Sequence, residues 1–395
     1  MKIFELSILL LGMAFFQVAC SKSKASAPLT PDVGTPMGLS LSKNQGMDGT
    51  KAHLQPTIIY TTLSAPVSPA FSTSLSFFQK LPEDFDDNIE SFTLDKNFMA
   101  TFADNVDGTG ESICYVAAVS NITENLPERI KNKASFVRFI PINNVPKKGT
   151  CNTNINAVNA LQSAWFYNWG LSQTTTATLQ YVPMTWGKNA ASLEQASNFI
   201  GRFGLDHILS FNEPDNSNQS NIASIDTAIN RYKLLLSTGL RMGSPATEQD
   251  NIWDTKWQSQ FISAAYVQKM RVDFLAAHWY DWGNQTVAAA TDDLTAEGVF
   301  NRFKNYVNKV RTIYPNIPLW VTEYNANPAR SEAVQIKFMR LSSEWLNTQT
   351  DVERYAYFFP AAMQPVTTDF KLTAMGQAWI NLPSPPSFTT NIIPR

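Results

Sequence analysis

Apolar residues come in two textures along this chain of 395 residues. From about residue 56 to 132 they form short β-type runs such as "TIIYTTL" and "SICYVAAVS", separated by polar turns and lacking a helical period. After residue 133 the runs lengthen: "SFVRFIP" (135–141), "SAWFYNW" (163–169), "TLQYVPM" (178–184), "HILSFN" (207–212), "RMGSP" (241–245), "VDFLAAHWY" (272–280), "PLWVTEY" (318–324) and "RYAYFFP" (354–360). Most are nearly continuous in apolar character, as parallel strands covered on both faces should be. Segments with helical spacing lie between them, at 191–203, 221–238, 257–270, 295–314, 329–347 and 373–381. This alternation predicts an α/β fold, a (β/α)8 TIM barrel over 133–382, preceded by a small β-rich region at 56–132 and followed by a tail at 383–395. One link is short: "GLSQTTTAT" joins the second and third runs, where a parallel crossover normally takes about a dozen residues or more. A short or missing helix is expected there. An open doubly wound sheet is the alternative fold, but no Gly-rich phosphate fingerprint supports it.

Composition narrows the class. Apolar residues make up 44% and aromatics 12%, against 16% charged, which gives ample material for a core. The net charge of −2 and the absence of a Lys/Arg cluster exclude nucleic acid as a partner. Three histidines without short ligand spacing argue against a metal site, and no motif calls for a cofactor.

The first twenty residues, "MKIFELSILLLGMAFFQVAC", read as an export signal with Lys2 at its start, an apolar centre and a small-residue cleavage site ending at Cys20. The pattern resembles a bacterial lipoprotein signal, which implies acylation of Cys20 and tethering to a membrane; an ordinary secretory signal is the alternative. Residues 21–55 are rich in Ser, Lys, Pro and Gly and read as a flexible tether. Of the remaining cysteines, Cys114 and Cys151 suit either a disulfide or two buried thiols. The turn "DNVDGTGES" (104–112) departs from calcium-loop spacing and reads as a Gly-rich turn.

In a barrel of this kind, polar residues at the C-terminal ends of strands converge on one cleft. Those ends carry Arg138, Asn168 with Trp169, Trp186, Asn212 with Glu213, Ser244, His278 with Tyr280, Glu323 with Tyr324, and Phe359. Glu213 ends the fourth run and Glu323 the seventh, nearly opposite each other around a small barrel. Two facing carboxyl groups are the apparatus of glycoside hydrolysis. The acid needs an apolar or like-charged setting to keep its proton; Glu213, after "ILSF", suits that role. The nucleophile must stay ionised beside donors such as Tyr280, His278 or Arg138, which suits Glu323. Asn212 is placed to meet the sugar 2-hydroxyl.

The motifs "FYNWG", "YVPMTWG", "FNEPDNSNQSNI", "GSPA", "VDFLAAHWY" and "LWVTEY" occur in the order and spacing of a known family. Over roughly 133–382 the chain resembles glycoside hydrolase family 128, whose members are mostly retaining β-1,3-glucanases. The resemblance implies Glu213 as acid/base, Glu323 as nucleophile and a β-glucan as substrate. Aromatic rings stack on the flat C–H faces of sugars, so Trp186 and Trp282, with Trp169, Trp279 and Tyr324, are candidate subsite walls; Gln219 and Asn221 are candidate hydroxyl partners. A monomeric, exported hydrolase is the expectation. The same chemistry on another polysaccharide, and a glycan-binding lipoprotein that does not cut, remain the alternatives.

Overall fold

A computed structural model describes residues 38–43, 57–61, 78–81, 83, 85–175, 179–202, 204–282 and 293–394. The export signal with Cys20 and most of the tether lie outside the described residues.

The first strands are antiparallel: β1 (Gly38–Lys43), β2 (Thr57–Thr61), β3 (Phe78–Lys80), β4 (Ile89–Leu94), β5 (Phe98–Ala103), β6 (Ser112–Ala117), β7 (Ile122–Asn125) and β8 (Phe136–Pro141). They form two four-stranded sheets, ordered β2-β1-β4-β7 and β3-β8-β5-β6. Leu39, Leu41, Phe92 and Leu94 from one sheet meet Phe102, Tyr115, Val137 and Phe139 from the other in a single apolar layer. β1 falls within the segment read as tether. Its "GLSLSK" alternates, with Leu39 and Leu41 fully buried, and it pairs with β2 and β4.

Eight parallel strands follow: β9 (Lys148–Cys151), β10 (Trp165–Tyr167), β11 (Gln180–Tyr181), β12 (His207–Ile208), β13 (Arg241–Met242), β14 (Leu275–Tyr280), β15 (Leu319–Asn325) and β16 (Val352–Tyr357). One ladder runs β11-β10-β9-β16-β15-β14 and a second pairs β12 with β13. Parallel bridges from Met184 to Leu209 and from Gly243 to Phe274 join the two, so the pairings close into a ring. Helices α1 (Ile155–Ala160), α2 (Leu193–Ile200), α3 (Ile225–Leu236), α4 (Trp257–Val267), α5 (Asp293–Ile313), α6 (Glu332–Thr348) and α7 (Ala374–Ile380) separate the strands. Among the described residues, no helix joins β10 to β11, as the short link predicts. Ser192, Ser224, Ser331 and Thr373 cap α2, α3, α6 and α7, each accepting a backbone N–H of the first turn. Each such cap contributes about 1 kcal/mol.

The segment 135–141, read from sequence as the first barrel strand, is β8 of the antiparallel layer. It pairs with β3 and β5, and β9 takes its place in the ring. Arg138 moves with it, away from the cleft. Its guanidinium reaches the carbonyls of Thr238 and Ile200, just past the C-terminal end of α3 and at that of α2, where backbone dipoles favour a cation. Burial pushes that guanidinium down to about 10. Gly239, at φ 64°, lets the backbone pass Arg138, because a Cβ there would lie 2.8 Å from the arginine's own Cβ.

The end of the chain is docked rather than free. Ile392 pairs with Val116, and the Phe388 ring lies 5.2 Å from the Arg241 guanidinium. Cys114 and Cys151 are both buried and unbridged. Residues 104–111 form the turn joining β5 to β6, with Gly108 and Gly110 at φ 81° and 84°.

Candidate active site

Glu213 comes off the chain just after β12. Asn212 and Glu213 are held by the neighbouring strands: the Asn212 N–H donates to the Trp186 carbonyl at 3.0 Å and that of Glu213 to the Ala246 carbonyl at 2.7 Å. Glu213 itself sits in the left-handed region at φ 40°. That conformation costs a non-glycine residue roughly 1–3 kcal/mol and is characteristic of functional sites. The turn it opens is tied down by Asp215, whose carboxylate accepts the Glu248 N–H at 3.2 Å and the Asn251 amide at 2.7 Å.

Glu323 lies within β15 rather than beyond it. The β14–β15 register shifts at Ala277/His278, and the β15–β16 register shifts between Val321 and Tyr324. Such irregularities re-aim side chains next to active sites. Alternation along β15 then sends Glu323 and Asn325 to the cleft and Tyr324 outward.

One imidazole stands between the two acids. His278 Nδ1 lies 3.0 Å from Glu213 Oε1, and its Nε2 lies 3.6 Å from Glu323 Oε1. Burial alone would lower this histidine, but the charge of Glu323, the hydrogen bond to Glu213 and the charge of Glu213 outweigh it and raise it above its ordinary value. Glu323 is held by further donors. The Tyr280 hydroxyl donates to Oε2 at 2.5 Å, while the Trp169 indole N–H at 2.9 Å and the Tyr167 hydroxyl at 3.2 Å reach Oε1. Burial, then the charge of Glu323, lifts both tyrosines well above their usual range, so they remain protonated donors.

The two carboxylates open into a cleft of ≈ 670 Å³, within the span usual for small-molecule sites. Trp169, Trp186, Tyr280, Trp282 and Phe358 supply its aromatic surface. Trp186 and Trp282 are 37% and 48% exposed, large rings left open to solvent at the cleft edge. Asn212, Gln219 and Asn325 add amides, and Glu248, Gln249 and Asp250 a polar wall. The Asn212 amide reaches Gln219 at 3.3 Å.

Most residues singled out from the sequence therefore meet here: Glu213, Glu323, Asn212, Trp186, Gln219, Tyr280 and Trp282 line the cleft, with His278 beneath the acids. Two do not. Arg138 belongs to the antiparallel layer. Tyr324 is fully buried on the helix side of β15, stacked on Phe303 at 5.1 Å with its hydroxyl at Ser343. Its neighbour Glu323 faces in, so Tyr324 must face out. Trp279 packs outward likewise, between Tyr280 and His278 on the inner face. Tyr167, Asn325, Phe358 and the 248–250 segment were missed. Asn325 lies two residues from Glu323 on the same face of β15, which was the available signal; Tyr167 ends β10, and Trp169 follows it in a turn.

The sequence profile of the glycosyl hydrolase catalytic core family matches residues 144–379. Comparison with curated proteins finds no match. Among solved structures, the chain is similar to a family 128 (subgroup I) endo-β-1,3-glucanase from Amycolatopsis mediterranei in complex with laminaritriose. That similarity has a TM-score of 0.51 and 29% identity over 60% of this chain and 100% of that one. A Glu-to-Gln variant of the same enzyme, in complex with laminarihexaose, aligns with a TM-score of 0.52 and 28% identity over the same shares. The match begins just after β8, so the antiparallel layer precedes the shared core. The chain belongs to the glycosyl hydrolase catalytic core family and is a glycoside hydrolase of the family 128 kind.

Proposed function

We propose that the protein hydrolyses β-1,3-glucan with retention of anomeric configuration. Glu323 attacks the anomeric carbon, Glu213 protonates the departing oxygen, and the same Glu213 then activates the water that releases the sugar. The observation that carries the assignment of roles is the asymmetry of the donor sets. Glu323 takes the Tyr280 hydroxyl on Oε2 and the Trp169 indole N–H on Oε1, with the Tyr167 hydroxyl shared between Oε1 and the Thr322 carbonyl, whereas the Glu213 carboxylate has a single side-chain contact, with His278. Two further carboxyls neighbour Glu213: Asp215 and Glu248, both raised chiefly by burial, with the charge of Glu213 a smaller contribution to each. The cleft's aromatic walls suit stacking of neutral sugar rings. The similar enzyme's complexes with laminari-oligosaccharides support the β-1,3 linkage.

Reducing-end release from laminarin, curdlan, mixed-linkage glucan, cellulose, xylan and agarose tests the reading. Activity confined to glucans with β-1,3 linkages is expected. Cleavage of xylan or agarose alone overturns the substrate, and silence on all six from folded protein overturns the hydrolytic reading.

We further propose that the protein is exported and anchored through lipid on Cys20, acting as a monomer. The support is the "MKIFELSILLLGMAFFQVAC" leader. Labelled palmitate incorporated by the full chain and abolished by Cys20→Ser is the expected result; no incorporation overturns it.

A further inference from the structure

We infer that Trp169 is a positioning residue that holds Oε1 of Glu323 in line for attack, in addition to forming part of the cleft wall. This rests on Glu323 being the nucleophile.

Trp169 follows β10 in the left-handed region, at φ 58°. Bulky side chains adopt it only where the surroundings impose it. Asn168 builds the turn: its side-chain carbonyl accepts the Gly170 N–H at 3.1 Å and the Tyr181 hydroxyl at 2.7 Å. The turn brings the indole N–H to 2.9 Å from Glu323 Oε1.

The other candidate donors to that oxygen are weaker. The Tyr167 hydroxyl has one proton and two acceptors, the Thr322 carbonyl at 2.9 Å and Oε1 at 3.2 Å, with the carbonyl nearer. His278 Nε2 stands at 3.6 Å, beyond a good hydrogen bond. The indole N–H is therefore the closest and undivided donor to Oε1. It neither titrates nor accepts, so its donation to the carboxylate does not change with pH.

The opposite oxygen, Oε2, takes the Tyr280 hydroxyl at 2.5 Å. Both donors lean on one ring: Phe358 meets Trp169 edge-on at 6.0 Å and Tyr280 edge-on at 5.9 Å. Phe358 thus acts as a shared spacer between the two groups that grip the carboxylate. With one donor on each oxygen, the carboxylate plane is fixed. Removing the Trp169 donor leaves Oε1 only the shared Tyr167 hydroxyl and the more distant His278, so it can swing about the terminal side-chain torsion.

The indole plays two parts that separate experimentally. Trp169→Phe in the full chain keeps an aromatic wall and deletes the N–H. Incorporating β-(3-benzothienyl)alanine at position 169 keeps the bicyclic shape as well, and serves where the Phe variant fails to fold. Initial rates on laminarin across a concentration series, with melting temperatures as a fold control, give kcat and KM for each. We expect kcat to fall about 10- to 100-fold in both, the range for losing a hydrogen bond to a charged group, with KM changed less than about threefold. Trp169→Ala raises KM as well. A wild-type kcat in either folded variant, or a raised KM with kcat intact, overturns the inference and leaves Trp169 as a wall only. Glu323→Gln run alongside separates the levels: a near-normal rate there overturns the nucleophile assignment itself.

Discussion

The Tyr280 hydroxyl lies 2.5 Å from Oε2 of Glu323, and Tyr280 and Glu323 come from adjacent parallel strands whose register shifts at Ala277/His278, before either side chain. The contact is charge-assisted, the stronger kind of hydrogen bond. In Tyr280→Phe the ring and its contacts with Phe358 and Trp282 stay while the donor is lost. We expect kcat to drop about 100-fold with KM little altered, checked by steady-state kinetics on laminarin. An unchanged kcat contradicts a role for the hydroxyl at the nucleophile.

The two acids are distinguished by rescue. With Glu323→Ala, added azide attacks the anomeric carbon from the vacated face and yields an α-glycosyl azide. With Glu213→Ala, the covalent intermediate still forms on an activated substrate, and azide yields the β-glycosyl azide. Both variants alone should lose at least about 1,000-fold in turnover on laminarin. NMR of the azide products checks the assignment, and products of exchanged configuration would reverse the roles.

At the start of β12, His207 lies 2.7 Å from Asp206 through Nδ1, while its Nε2 lies 3.0 Å from a guanidinium nitrogen of Arg241 at the start of β13. An arginine only donates, so Nε2 carries no proton and the ring is neutral. Burial, opposed by Asp206, pushes His207 down to about 4. A folded-state value below the unfolded one supports stability above the ordinary value of 6.5 and loses it as pH falls toward about 4. His278 runs the other way: raised in the folded state, it adds stability at low pH that is lost as pH rises through its raised value. The melting temperature should therefore fall between pH 6.5 and pH 4.5, and His207→Gln should flatten that decline. An equal decline in the variant contradicts the assignment.

The described residues lining the cleft include four carboxylates, Glu213, Glu248, Asp250 and Glu323, and neither lysine nor arginine. A glucan bearing negative groups meets an unfavourable field there. Carboxymethylated laminarin should show kcat/KM about tenfold below that of laminarin, with the gap narrowing at 1 M salt as screening takes over. Equal rates at low salt would contradict it.

The helices from α2 onward and seven ring strands were legible because each buries an apolar stripe or run. The first ring strand was not. β9, "KGTC", is short and half polar, and Lys147 and Lys148 spend their ammonium groups on the carbonyls of Gln349, Trp379 and Leu382. β8 took its place in the reading because "FVRFIP" is buried on both sides. Val137 and Phe139 face the antiparallel core, and Ile140 faces the ring helices. Continuous apolar character reports double coverage, which an antiparallel strand trapped between two layers has as fully as a parallel one. At the site, the meeting of Glu213 and Glu323 in one cleft was legible from strand ends, while Tyr324 was misplaced because alternation along β15 turns it away from the face that carries Glu323. Tyr167 was missed since its hydroxyl reaches Glu323 across 156 residues of sequence.

The most direct test of the account is to trap the intermediate. A 2-deoxy-2-fluoro laminaribioside with an activated leaving group slows release of the covalent sugar, and peptide mass spectrometry then locates it. The account predicts a single adduct on Glu323. An adduct on Glu213, or leaving-group release without any adduct and with an inverted anomer as product, would contradict it.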